Sequence, residues 1–172
     1  MFFDPLEIPE RLLDAQENGK LVIFAGAGVS MGGPSNLPSF KGLAKQIAGN
    51  NPLANDLNRY DTRLDRFLSD LSHWGVKVHE LCAKIIGAPD SEPTNLHRSL
   101  VRLFRSSDEL RIVTTNFDDH FSKVISERHW TFEQHLSPAL LNGDSFRGLV
   151  YLHGSIKRMG TLILTAEDFR FM

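Results

Sequence analysis

The sequence is poor in three features that would otherwise narrow its function. With a single cysteine, Cys82, it can form neither an internal disulfide nor a zinc site built from several cysteines. Its 19 Lys and Arg residues against 21 Asp and Glu residues give a formal net charge of −2, so no chain-wide positive field favours nucleic acid or an anionic membrane. No apolar run approaches the roughly 18 residues of a membrane span. No basic leader followed by an apolar run opens the chain. We therefore expect a cytoplasmic protein.

The remaining composition is typical of a globular domain. The chain has 172 residues, of which 41% are hydrophobic and 23% are charged. A chain of this length and composition buries enough apolar surface to fold without disulfides or metals. We expect one domain over residues 1–172.

Short apolar runs alternate with helical periodicity along the chain. Four runs predict strands, with a loop region around Pro138 and Asn142 before the third: Leu21–Ala25, Leu110–Thr114, Leu149–Leu152 and Thr161–Leu164. The first run is continuous and ends in glycines, which favours a central strand covered on both faces. Strands that alternate with helices predict an α/β fold with a mainly parallel sheet, which binds ligands at the carboxyl ends of its strands.

Glycine-rich or polar clusters follow three of the predicted strands. They are Gly26–Ser30, Thr114–Asp118 and His153–Ser155. Because the carboxyl ends of parallel strands share one edge of a sheet, these clusters are expected to converge on one crevice.

The glycine turn favours a nucleotide without proving one. Gly26 and Gly28 would let backbone amides approach a phosphate, but taken alone they are better explained by a tight exit from the strand. A dinucleotide fingerprint would need glycine where Met31 stands, and no Gly-Lys-Ser/Thr of a P-loop follows. Gly28–Gly32 also fits a nucleophile elbow, so a serine hydrolase using Ser30 is an alternative, with Asp118 and His153 as its partners in chain order.

The polar residues of the other clusters have two readings each. Asn116 either caps a helix or holds a water with its carbonyl group, and Asp118 either binds a ribose or caps the helix that follows. His153 can titrate near neutral pH and is either a better proton acceptor than Asn116 or a partner for a ribose hydroxyl. His97, on a predicted helix after Pro93, is expected to make a buried structural hydrogen bond.

Five segments in order resemble the NAD-binding fold of the sirtuin family, and more closely the sirtuin-like domains of bacterial antiphage defence proteins. They are Gly26–Ser30, Leu37–Gly42, Pro93 with His97, Thr114–Asp118 and Leu152–Ser155. The resemblance runs from about Leu21 to Asp168 and implies a Rossmann-like three-layer fold. It implies Asn116 and His153 as catalytic residues, and these residues in contact with NAD+: Gly26, Ala27, Gly28, Ser30, Phe40, Thr115 and Asp118.

Departures from the sirtuin pattern bear on the activity that the resemblance implies. Protein-deacylating sirtuins carry a four-cysteine zinc module, which a chain with only Cys82 cannot build, so we expect no metal. Ser39 stands where those enzymes have an aspartate, and Thr115 stands where they have a glutamine. Both changes resemble the defence branch, whose activity is NAD+ hydrolysis.

The resemblance thus predicts an NAD+ hydrolase that releases nicotinamide and ADP-ribose and depletes NAD+ in antiphage defence. An NAD-dependent deacylase and a non-catalytic module that senses NAD or another nucleotide remain alternatives beside the serine hydrolase. Because sirtuin-like domains usually continue beyond the last predicted strand, we expect the domain to be truncated at its C-terminal end. A homo-oligomer or a further C-terminal sensor region is expected, without a membrane or direct nucleic-acid partner.

Overall fold

The structure, a computed structural model, describes residues 8–136 and 146–171. In this part of the chain four strands form one sheet: β1 (Ile23–Ala25), β2 (Arg111–Thr114), β3 (Gln134–Leu136) and β4 (Gly148–Tyr151). The helices are α1 (Glu10–Glu17), α2 (Phe40–Ala48), α3 (Leu64–His73), α4 (Val78–Ile86), α5 (Asn95–Arg102) and α6 (His120–Glu127). Short 3-10 segments include Ala27–Ser30, Pro52–Tyr60, Met159–Thr161 and Asp168–Phe171.

The sheet confirms the predicted α/β architecture and is consistent with a Rossmann-like fold. Its strand order is β1-β2-β4-β3, and every pairing is parallel. The register aligns Ala25 with Thr114 and Thr114 with Tyr151, so the last residues of β1, β2 and β4 lie side by side. The segments that follow these three strands therefore leave the sheet at adjacent points of one edge.

Two apolar cores flank the segments that leave this edge. The first packs the sheet against α5 and α6 and contains Ile112, Leu149 and Phe121. The second joins α2, α3 and α4 around residues such as Leu43 and Phe67, and also contains Phe117, Leu162 and Leu164. Phe117 comes three residues after the end of β2, so the helical core meets the sheet at its carboxyl edge.

Side-chain caps fix the starts of two helices at that edge. Ser39 precedes α2, and its hydroxyl accepts the Gly42 N–H at 3.1 Å. Thr94 precedes α5 in a reciprocal box: its hydroxyl accepts the His97 N–H at 3.3 Å, and the His97 Nδ1 accepts the Thr94 N–H at 3.1 Å. These caps place Phe40 and His97 in the first turns of their helices.

Two strand predictions were wrong. In the described residues β1 pairs with β2 alone and Phe24 is 66% exposed, so β1 is an edge strand there and not a central one. An apolar run indicates a strand but carries no information about which strands flank it. The run at Thr161–Leu164 forms no strand, because only one backbone–backbone hydrogen bond, from the Ile163 N–H to the His153 carbonyl at 3.0 Å, joins it to the His153–Ser155 cluster after β4.

The short strand β3 was not predicted, and the predicted loop around Pro138 and Asn142 lies outside the described residues.

Within the ranges that the structure covers, no helix is both long enough and apolar enough to cross a membrane.

Candidate functional site

A cavity of about 230 Å³ lies where β1, β2 and β4 end. One part of its wall is polar: Ser30, Thr115, Asn116, Asp118 and His153. The rest is mainly apolar: Ala27, Leu37, Pro38, Phe40, Leu43, Ile86, Phe117, Ile163 and Phe169. The cavity confirms that the three strand-end clusters converge, and it contains seven of the nine residues that the sequence singled out for NAD+.

The hydroxyl of Ser30 is the centre of the polar wall. Ser30 is 2% exposed, and its Oγ lies 2.9 Å from Asp118 Oδ2, 3.1 Å from Asn116 Nδ2 and 3.2 Å from His97 Nε2. A carboxylate only accepts hydrogen bonds, so the single hydroxyl proton is donated to Asp118. The two lone pairs of the oxygen then accept from Asn116 and His97.

This arrangement fixes the proton positions of both partners. His97 must carry its proton on Nε2, because its Nδ1 accepts from the Thr94 N–H. Burial lowers the pKa of His97 to about 4, so the ring is neutral near pH 7 and has the one proton that Ser30 requires. The expected buried structural hydrogen bond of His97 is thus confirmed.

The same arrangement orients the Asn116 side chain. Its NH₂ group donates to Ser30, so its carbonyl oxygen Oδ1 is left without a partner among the described residues. In that part of the chain the one buried side-chain polar atom without a hydrogen bond is His120 Nδ1, so Asn116 Oδ1 is not buried away from solvent. Since Asn116 lines the cavity, its Oδ1 is an acceptor open to that space. Asn116 does not cap α6, which removes the alternative reading of this residue.

The two carboxylate oxygens of Asp118 accept hydrogen bonds from different groups. Its Oδ2 accepts from Ser30, and its Oδ1 accepts the His120 N–H at 3.1 Å at the start of α6. It is 4% exposed and also lines the cavity. Asp118 therefore stabilises the first turn of α6 and holds the Ser30 hydroxyl in one orientation.

His153 lies on the cavity wall between aromatic rings. The centroid of its ring is 6.4 Å from that of Phe117 and 5.7 Å from that of Phe169. Its ring nitrogens have no hydrogen-bond partner among the described side chains and backbone groups, and burial lowers its pKa below the usual 6.5. The imidazole is consequently neutral near pH 7 and can accept a proton.

Phe40 also lines the cavity, and its ring centroid is 6.5 Å from that of Phe117. Thr115 continues the sheet ladder by donating its N–H to the Ala25 carbonyl at 3.1 Å.

The chain turns tightly after β1, where the Gly26 carbonyl accepts the Val29 N–H at 3.2 Å, but the turn uses no left-handed glycine. Neither Gly26 nor Gly28 has a positive φ, and neither lines the cavity, although Ala27 between them does. A Cβ added to Gly28 would meet no atom within 4 Å, so the space beside this residue is open.

The serine hydrolase arrangement is not formed. Ser30 bonds directly to Asp118 and to His97, and no hydrogen bond joins Ser30 to His153 in the described structure. A triad needs the histidine between the serine and the carboxylate, with the serine hydroxyl donating to the imidazole. Here the serine proton goes to the carboxylate, so no histidine accepts it as a general base in this arrangement.

Sequence reasoning missed part of the apolar wall. Phe117 stands inside the Thr114–Asp118 cluster but carried no role there. Ile86, Ile163 and Phe169 come from segments without a chemical motif, and only the three-dimensional packing brings them to the cavity.

No group of three or more His, Cys, Asp or Glu side chains in residues 8–136 and 146–171 is placed to hold a metal ion. The polar wall offers one amide oxygen and one neutral imidazole, both of which can accept hydrogen bonds.

No curated protein matches the chain in sequence. A family model does match its C-terminal part, which includes the Thr114–Asp118 and His153–Ser155 clusters but not the glycine turn. Over residues 110–172 the chain matches the SIR2-like domain, which confirms the sirtuin-like resemblance in this region and indicates a function related to NAD.

Proposed function

We propose that the chain is an NAD+ hydrolase that cleaves the bond between nicotinamide and ribose. The observation that carries the proposal is the orientation of Asn116, whose carbonyl oxygen is left open to the cavity by the hydrogen bonds of Ser30. A water held there would lie in the same cavity as His153, a neutral imidazole that can take its proton.

The cavity suits one end of a dinucleotide. At about 230 Å³ it is smaller than the pockets of roughly 300–1,000 Å³ that enclose drug-sized ligands. The apolar wall with Phe40 and Phe117 fits the planar nicotinamide ring, and the polar wall with Asn116 and Asp118 fits the adjoining ribose. The open space beside Gly28 then leaves room for the phosphates near the turn that follows β1.

The proposed reaction needs no strong acid. As the bond between nicotinamide and C1′ breaks, its electron pair moves to the ring nitrogen and neutralises the positive charge of the leaving group. The oxygen of the water then bonds to C1′ of the oxocarbenium-like ribose, and the proton lost from this water passes to His153. The products are nicotinamide, ADP-ribose and one proton. Asn116 contributes by positioning the water.

We further propose that NAD+ depletion by this activity serves antiphage defence of the abortive-infection type, and that the chain works as a homo-oligomer or with a further C-terminal region. The five ordered segments support the defence role through their resemblance to defence proteins. The departures at Ser39 and Thr115 support hydrolysis over deacylation.

The test is to incubate the purified protein with NAD+ and to quantify nicotinamide and ADP-ribose by chromatography, with and without an acyl-lysine peptide. A hydrolase releases both products equally in the two reactions. Nicotinamide release that needs the peptide would identify a deacylase instead. Calorimetric binding of NAD+ without turnover would favour a sensing module, and neither binding nor turnover would refute the proposal.

A further inference from the structure

A second cavity, of about 610 Å³, is lined by four arginines. It is formed by the end of the 3-10 segment Pro52–Tyr60, the first two turns of α3, and residues 166–170. The arginines are Arg59, Arg63, Arg66 and Arg170. We call this space the arginine cavity. It shares no lining residue with the cavity that contains Asn116.

Three of the guanidinium groups have no ion-pair partner within residues 8–136 and 146–171. Arg59 pairs with Asp56 at 3.0 Å, but no carboxylate in the described structure lies within ion-pair distance of Arg63, Arg66 or Arg170. Arginines that line one cavity without carboxylate partners among the described residues favour an anion with several oxygen acceptors.

The carboxylates of the same wall are largely occupied. The Tyr60 hydroxyl donates to Asp70 at 2.7 Å, and the Ser69 hydroxyl donates to Glu167. This hydrogen bond from Ser69 is also the main cause that lowers the pKa of Glu167. The Glu167 carboxylate is therefore ionised and already has a hydrogen-bond donor. Of the three lining carboxylates only Asp65 has no hydroxyl donor.

Hydrogen bonds join the two parts of the arginine cavity's wall, α3 and residues 166–170. The Ala166 N–H donates both to the Ser69 hydroxyl at 3.0 Å and to the Asp65 carbonyl at 3.3 Å. These bonds attach the segment that carries Arg170 to α3, which carries Arg66. Arg66 and Arg170 are therefore held at the same cavity.

We propose that the arginine cavity binds a phosphate-bearing small molecule other than the NAD+ of the active site. The planar guanidinium group bonds two phosphate oxygens at once, and three unpaired guanidinium groups can hold more than one phosphate. The volume exceeds what an inorganic phosphate fills, so a phosphate ester or a diphosphate is the matching ligand class.

The experiment uses pyrophosphate as the probe and isothermal titration calorimetry on the full chain at low ionic strength. The double variant Arg63→Gln, Arg170→Gln is expected to weaken binding by about tenfold or more, because each charge-assisted bond contributes at least a factor of this order. The control is Arg102→Gln at the exposed end of α5, which removes one positive charge away from the cavity and is expected to change the affinity by less than about twofold. Circular dichroism establishes that each variant is folded.

Two results would overturn the proposal: no pyrophosphate binding by the wild-type chain at millimolar concentration, or equal weakening in the double variant and the control. The titration is then repeated with saturating NAD+. Unchanged pyrophosphate affinity is the expected result, whereas displacement by NAD+ would assign the cavity to the dinucleotide and contradict a separate site. Because pyrophosphate binding is measured without turnover, failure of the proposed hydrolase activity leaves this test intact.

Discussion

Replacing Ser30 with alanine removes the hydroxyl on which the polar wall of the candidate site depends. Three groups lose a partner at once: Asp118 Oδ2, the Asn116 NH₂ and the His97 Nε2–H. His97 is fully buried, so its proton bears the whole penalty of an unsatisfied donor, about 1–3 kcal/mol. Asp118 and Asn116 border the cavity, and water can replace part of what they lose. We expect Ser30→Ala to destabilise the fold by about 3 kcal/mol in total.

A second buried serine offers a matched control. Ser35 is 3% exposed, and its hydroxyl donates a single neutral bond, to the Glu92 carbonyl at 2.7 Å. Ser35→Ala should cost about 1 kcal/mol. For a chain of this size the two losses correspond to shifts in Tm of about 6–12 °C and about 2–4 °C.

The assay is thermal unfolding of both variants, followed by circular dichroism at one pH and one protein concentration. The reasoning predicts that Ser30→Ala unfolds at a clearly lower temperature than Ser35→Ala. Equal or smaller destabilisation by Ser30→Ala would refute the claim that Ser30 satisfies three buried partners.

Three further predictions follow from particular side chains and glycines. Gly154→Ala should lower the free energy of unfolding by about 3 kcal/mol or more, because Gly154 has a φ of +78° and an added Cβ would lie 1.9 Å from the Thr161 carbonyl oxygen. Gly28→Ala should leave Tm unchanged, because an added Cβ would meet no atom there. Comparable Tm values for the two variants would contradict this. The pKa of His97 is lowered to about 4, so the unfolded chain binds more protons below pH 6.5, and stability should fall by up to about 3 kcal/mol as the pH drops from 6.5 to 4. An NMR titration of the His97 ring with its midpoint near 6.5 would exclude that contribution. Burial raises the pKa of Cys82 to about 12, so a thiol reagent at pH 8 should label Cys82 only after denaturation, and rapid labelling of the native chain would contradict its placement.

The convergence of the site could be predicted from the sequence because it depends on a general rule. Apolar runs followed by polar clusters indicate strands with functional ends, and a parallel sheet brings those ends to one edge. This argument placed His153 beside Asn116 and Asp118 although it lies far from them along the chain, and the structure places all three on one cavity wall.

The contacts inside the site could not be predicted, because they join residues that no local pattern relates. The hydroxyl of Ser30 meets His97 across 67 positions and Asp118 across 88 positions. The orientation of the Asn116 amide depends on both contacts, since it follows from the number of protons and lone pairs that Ser30 has available. The position of Phe169 depends on how the last segment packs, and its sequence neighbourhood has no signal of that.

The strand errors have a similar cause. Leu21–Ala25 and Thr161–Leu164 are both mainly apolar, but residues 23–25 of the first form an edge strand, whereas the second makes only one backbone hydrogen bond to the His153–Ser155 cluster after β4, at the His153 carbonyl. Hydrophobicity predicts burial, whereas strand position is decided by which backbones are free to pair.

The most direct test of the central claim is the rate of NAD+ cleavage by Asn116→Ala beside that of wild type and of Asn55→Ala, an exposed asparagine outside the cavity. The account predicts that Asn116→Ala folds and binds NAD+ but releases nicotinamide at least about a hundredfold more slowly, as expected when a positioned water is lost, while Asn55→Ala keeps the wild-type rate. Wild-type turnover in folded Asn116→Ala would contradict the account.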